Sequence, residues 1–160
     1  MSLFAFIKDV GDKLFGSKTA ETTTESTTAS VDESAKAEAA ITEAIHDLDL
    51  HVENLCVSLD GDTATISGTA MDQSTKEKVI LVVGNTMGIA MVNDQMDVKH
   101  QAPEAQFHTV SKGDTLGKIA QQYYGNAMKY PEIFEANKPM LKDPNLIYPG
   151  QVLRIPIVEN

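Results

Sequence analysis

The residues best placed to do chemistry in this chain lie between Val82 and Val92, in the stretch VVGNTMGIAMV. An apolar helical pattern runs into Gly84, a turn with a second glycine at Gly88 follows, and the chain leaves as a short apolar strand. A helix C-terminus beside a glycine turn directs several unpaired backbone carbonyls toward one small volume. Such a cluster can hold a bare cation, and the same residues can also form an ordinary helix-to-strand turn. Other chemistries are poorly provided for. His46, His51, His100 and His108 show no metal-ligand spacing, and no strand-elbow serine or paired catalytic carboxylates stand out. No D-x-D-x-D-G series is present for calcium. An enzyme is not expected.

The elements that must position this turn can be read on either side of it. Ser30-Val31-Asp32-Glu33 has the spacing of a capping box, and Ala37, Ala40, Ile41, Ala44, Ile45 and Leu48 then recur at helical spacing. Leu55, Val57 and Leu59 alternate with polar residues, as do Ala64 and Ile66 beyond Gly61-Asp62, which predicts a hairpin with one wet face. A second helix starts near Asp72, carries Val79, Ile80 and Val83 inward and ends at Gly84. A strand opens at Ile89 to Val92 and extends toward Val98. The order helix, strand, strand, helix, strand predicts a compact α+β layer.

Ahead of this unit, SLFAFIKDVGDKLFG reads as a short amphipathic segment, with Phe4, Ile7, Leu14 and Phe15 on one side if the chain bends near Gly11. It is expected to dock on the protein's own body rather than on a membrane, because Lys8 and Lys13 are matched by Asp9 and Asp12. Residues 17–30, rich in Thr, Ser and Glu, read as a flexible linker. No segment approaches the roughly 20 apolar residues of a membrane span. No signal-peptide core is found, so a cytoplasmic location is expected. The single cysteine, Cys56, rules out an internal disulfide. Of the net charge of -10, all the excess lies in residues 1–100, which hold 7 Lys and 17 Asp or Glu. That balance disfavours nucleic acid and anionic lipid as partners, and it enriches cations locally.

After a linker at 101–106 the character changes. His108-Thr109-Val110 is a short strand, Asp114 is the expected N-cap of a helix carrying Leu116, Ile119, Ala120 and Tyr123, and Gly125 stops it. Pro131 suits the first turn of another helix, and Tyr148-Pro149-Gly150-Gln151 suits a type II turn before the closing strand Val152 to Ile155.

These residues carry a resemblance. VSKGDTLGKIAQQYYGN, IFEANKPML and IYPGQVLRIP together closely resemble a LysM domain, with a βααβ fold implied over 107–157. Residues 31–100, through their element order and the GNTMGIAMVNDQ turn, resemble a BON domain, αββαβ. With the leading arm, residues 1–16, the whole resembles the cytoplasmic potassium-binding BON–LysM proteins, the Kbp family. The fold class is thus α+β in two small domains, and a monomer is expected.

The resemblance implies a protein that binds K⁺ through main-chain carbonyls and becomes more compact. The positions that match are Ile7, Val10 and Asp12 in the arm and Gly84, Thr86 and Ile89 in the glycine turn. Carbonyl oxygens can replace the water shell of this large, weakly hydrated ion. A rival implication comes from the LysM half, since such domains commonly bind N-acetylglucosamine polymers. There the matching positions are Asp114, Thr115, Leu116, Asn137, Pro139 and Ile147, with a peptidoglycan-type glycan or an unknown protein as partner. Each has a plainer role open to it: Asp114 as a cap, Leu116 as core, Asn137 as a tie for a turn.

Overall fold

The computed structural model describes residues 2–6, 30–86, 88–138 and 140–158, apart from the side chains of Ser2 and residues 30–33. The first unit is a four-stranded sheet, β1 (Ser2–Ala5), β2 (Val52–Asp60), β3 (Thr63–Asp72) and β4 (Met91–His100), in the order β1-β4-β3-β2. Helices α1 (Ser30–Asp47) and α2 (Gln73–Gly84) complete it, so the expected helix, strand, strand, helix, strand order is present. β2 and β3 form the hairpin, turning at Gly61, while β3 and β4 run parallel. A parallel pair cannot be joined by a tight turn and needs a crossover. Here α2 and the turn after it make that crossover, which is why the glycine turn sits at one end of the sheet.

The arm departs from its expected form. Ser2–Ala5 is a strand paired antiparallel to β4, with Phe4 opposite Val92, and Phe6 N–H continues the ladder to Ala90 O at 2.7 Å. Period-two burial replaces the predicted helical period: Leu3 is exposed, Phe4 is half-buried, Ala5 is exposed and Phe6 is buried. An open edge on β4 offers LFAF hydrogen bonds that an isolated short helix could not supply for itself. Ile7, Leu14, Phe15 and the 17–29 stretch lie outside the described residues.

α2 begins as expected, with Asp72 at the N-cap accepting from Thr75 N–H at 2.7 Å. Burial along it is wider than the one-sided pattern predicted. Val79, Ile80, Leu81, Val82 and Val83 are all buried, and a helix apolar all round must be covered all round. The sheet and α1 cover one side, and the closing strand of the second unit covers part of the other.

The second unit comprises β5 (Gln106–Thr109), α3 (Leu116–Tyr124), a single 3-10 turn (Ala127–Lys129), α4 (Tyr130–Ala136) and β6 (Val152–Ile155), with β5 antiparallel to β6. Gly125 ends α3 in the left-handed region, φ 69°, as its position predicted. The N-cap of α3 is Thr115 rather than Asp114, its hydroxyl accepting from Lys118 N–H. One apolar cluster runs through both units, from Ile45 and Ile66 to Ile133 and Leu153.

Candidate functional site

The turn after α2 is a set of carbonyls with unequal fates. Leu81 O accepts from Asn85 N–H at 2.8 Å, Val83 O from Thr86 N–H at 3.1 Å, and Val82 O from the Thr86 hydroxyl at 2.9 Å. Those bonds close the helix end. Beyond them, Thr86 O accepts from Ile89 N–H at 3.3 Å. Among the described residues no hydrogen bond reaches the carbonyl oxygen of Gly84 or of Ile89. Gly84 and Ile89 are both buried residues. Carbonyls of buried residues are nearly always paired, so two that no hydrogen bond among the described residues reaches offer a place for an electropositive group.

The two glycines of this turn serve different needs. Gly84 is the last residue of α2 and has no left-handed backbone; a Cβ there would lie 2.1 Å from Phe6 Cζ. Its lack of a side chain lets the Phe6 ring lie directly on the helix end. Gly88 has φ +89° and open space around its Cα, so its role is conformational. Ile89, expected to open the strand, instead remains in the turn, and β4 starts at Met91. Its N–H is spent on Thr86 O, while Asp62 O receives the next two N–H groups, those of Ala90 and Met91.

The structure therefore brings Gly84, Thr86 and Ile89 into one turn and lays the end of the arm, Phe6, against it. Ile7, Val10 and Asp12 lie outside the described residues. Phe6, the last described residue of the arm, has its ring against Gly84.

Asn85, flanked by two of the candidate carbonyls, was not singled out by its sequence. It is 2 % exposed, and its side chain reaches the second unit: Oδ1 accepts from Val152 N–H and Nδ2 donates to Val152 O, each at 2.9 Å. Glu77, earlier on α2, is also buried and forms an ion pair with Arg154 on β6, while its Oε1 accepts from Gln73 Nε2 and Ala105 N–H. A buried carboxylate with all of these partners is compatible with a dry interface. The sequence signal for this contact is the unbroken VILVV run, whose period leaves no polar side for solvent.

The rival groove is also assembled in part. Asp114, Thr115, Leu116 and Ile147 line a hollow of about 350 Å³ together with Tyr130 and Asn145. Leu116, however, is 2 % exposed and packs into the core. Asn137 is fully buried: Nδ2 donates to Ile133 O and Arg154 O, and Oδ1 accepts from Arg154 N–H at 2.7 Å. It ties α4 to β6 and has no polar atom to offer a glycan. Pro139 lies outside the described residues. Asp114 accepts from Ser111 N–H and meets His108 Nε2 at 3.1 Å, and these contacts hold its carboxyl below the usual carboxylate range. His108 Nδ1 lies 3.1 Å from the Tyr123 hydroxyl, so this histidine joins the start of the unit to α3. Among the described residues no three His, Cys, Asp or Glu side chains converge as a metal site. No helix among them is long and apolar enough to cross a membrane.

Comparison with known proteins places these features in a family. A "Potassium binding protein Kbp" of Escherichia coli O6:H1 is 44% identical over 98% of this chain and 99% of its own length. The chain belongs to the Kbp family. The LysM domain model matches residues 108–156, which include α3, α4 and β6. Two further relatives share only a segment: an uncharacterized protein of Deinococcus radiodurans, 51% identical over 31% of this chain and 19% of its own length, and the uncharacterized protein YqbP of Bacillus subtilis, 38% identical over 31% of this chain and 26% of its own. The second unit of this Kbp family chain is thus a LysM domain, and the glycine turn lies outside the residues that the LysM model matches.

Proposed function

We propose that this protein binds K⁺ in the turn Gly84 to Ile89, with the carbonyls of Gly84, Thr86 and Ile89 as one half of the site. Ile7, Val10 and Asp12 of the arm supply the other half. The observation that carries the reading is the pair of buried residues, Gly84 and Ile89, whose carbonyl oxygens no described hydrogen bond reaches. The family relationship to a potassium binding protein over the whole length supports the choice of ion. A large, weakly hydrated monovalent cation suits neutral carbonyl dipoles, whereas a divalent ion would call for carboxylates that the described turn does not present.

Binding of this kind joins the arm to the domain body, and a ligand that favours the joined state shifts the population toward it. The protein acts as a cytoplasmic K⁺ sensor or buffer that compacts on binding, without catalysis. Calorimetric titration of the full chain with KCl against NaCl at matched ionic strength tests this. Saturable heat with KCl and much weaker heat with NaCl is the expected result; equal or absent heats contradict it. Slower hydrogen exchange in residues 3–15 on adding K⁺ is expected of the arm, and unchanged exchange there would separate ion binding from arm docking.

The groove beside Thr115 gives the LysM domain a second, weaker reading as a peptidoglycan-type glycan binder. Co-sedimentation with insoluble peptidoglycan at physiological salt decides it.

A further inference from the structure

Among the described residues β6 is an edge strand paired with β5 alone. Gln151 O accepts from Val110 N–H, so by strand alternation residues 151, 153 and 155 face β5, and the backbone groups of Val152 and Arg154 face away from it. Those outward groups are met by two asparagine side chains. Asn137 takes both N–H and C=O of Arg154, and Asn85 takes both N–H and C=O of Val152. Each carboxamide offers one acceptor and a donor in the spacing of a neighbouring peptide, so together they stand in for a missing strand. Asn137 belongs to the LysM domain itself. Asn85 belongs to the first unit, and its own backbone lies between the carbonyls of Gly84 and Thr86.

From this geometry we infer that Asn85 is a positioning residue for the ion: its side-chain grip on Val152 fixes the turn whose carbonyls hold K⁺. The inference rests on the ion-binding reading above. The role given to Asn85 is one of position, since its Oδ1 and Nδ2 are both hydrogen-bonded to Val152 on β6. The Thr86 hydroxyl tethers the turn back to Val82, and Asn85 tethers it forward to the LysM domain. A turn held at both sides keeps its carbonyls at one spacing, and spacing matters to selection between ions of different radius. Linkage makes the effect mutual: if the Asn85–Val152 pair favours the ion-competent turn, the ion must strengthen that pair.

The test uses the full chain and KCl or NaCl as the probe. In Asn85→Ala, K⁺ affinity is expected to fall about tenfold, and the ratio of K⁺ to Na⁺ affinity to narrow. A variant that merely populated the folded state less would lose K⁺ and Na⁺ affinity by one common factor, since apparent affinity scales with the competent fraction. That common loss, or unchanged K⁺ affinity in the folded variant, overturns the inference. Should Asn85→Ala fail to fold, hydrogen exchange on the unaltered chain decides. Saturating K⁺ is expected to slow exchange at the Val152 amide more than at the Arg154 amide, which Asn137 holds on the same strand. Equal change at the two amides overturns the inference. K⁺ binding by the unaltered chain with a normal Asn85→Ala leaves the ion-binding reading standing and removes only this one, whereas no K⁺ binding by the unaltered chain removes both.

Discussion

Two glycines in one turn illustrate how the same residue type answers different physical demands. At Gly88 the need is backbone conformation, φ +89°, with no neighbour close by. At Gly84 the need is space, since the Phe6 ring occupies the volume a side chain would fill. Gly84→Ala should therefore destabilise the protein even though alanine is the better helix former by up to about 1 kcal/mol. Overpacking of this kind costs about 1–3 kcal/mol, and the cost should disappear in a Phe6→Ala background. Chemical denaturation of the two single variants and the double variant measures it; a Gly84→Ala variant as stable as the parent would mean that Phe6 does not rest there. At this scale the sequence was partly legible. The glycine turn and its carbonyls could be located from VVGNTMGIAMV, but the partner that makes Gly84 necessary lies at the other end of the unit. Nothing in the spacing of Phe6 and Gly84 links them. Asn85 was illegible for a similar reason, because its side-chain bonds to backbone are to Val152, 67 residues away.

Among the elements, α2 organises both halves of the chain. Its start was readable from Asp72, and the structure has that carboxylate at the N-cap with the Thr75 N–H holding its pKa below the ordinary aspartate value. A folded-state pKa below the unfolded one means the cap stabilises above that unfolded value and is lost as pH falls through the lowered one. Asp72→Ala should cost about 1 kcal/mol at pH 7, and progressively less as pH drops below 3.8 toward full protonation of Asp72 in the parent. Urea unfolding of both proteins across that range checks the sign. A penalty that grew with acid would be inconsistent with the cap. Both sides of α2 are buried, and the five-residue apolar run that requires this was visible in the sequence; reading it as a single inward face missed the domain contact. LFAF, most of which lies in β1, is too short for period alone to separate helix from strand. The position of β1 beside β4 follows from tertiary pairing. The N-cap of α3 falls one residue beyond the expected Asp114, since Asp114 and Thr115 are both good caps and only the backbone shows which one faces Lys118 N–H.

For the whole molecule, the two units share an apolar cluster and a buried charge pair, so they should not behave as beads on a string. Arg154→Met would leave Glu77 buried with only its neutral partners. Removing one member of a buried pair costs about 3–5 kcal/mol. Because this pair crosses between the units, the loss should also split a single thermal transition into two, as seen by calorimetry. A single sharp transition at the parent's temperature would show that the pair contributes little to holding the units together. In the parent, K⁺ at a hundredfold excess over its dissociation constant should add about 2.7 kcal/mol of stability by mass action, with NaCl at the same ionic strength adding far less. The acidic first hundred residues concentrate either cation without choosing between them, so in the proposed site any choice falls to the carbonyls. Carbonyl-carbon NMR shifts followed during KCl titration test that assignment most directly. Saturable shifts centred on Gly84, Thr86 and Ile89, absent with NaCl at matched ionic strength, are expected, with small changes at Leu81 to Val83, whose carbonyls close the helix. Saturable K⁺ binding with no shift at the carbonyls of Gly84, Thr86 and Ile89 would contradict the assignment.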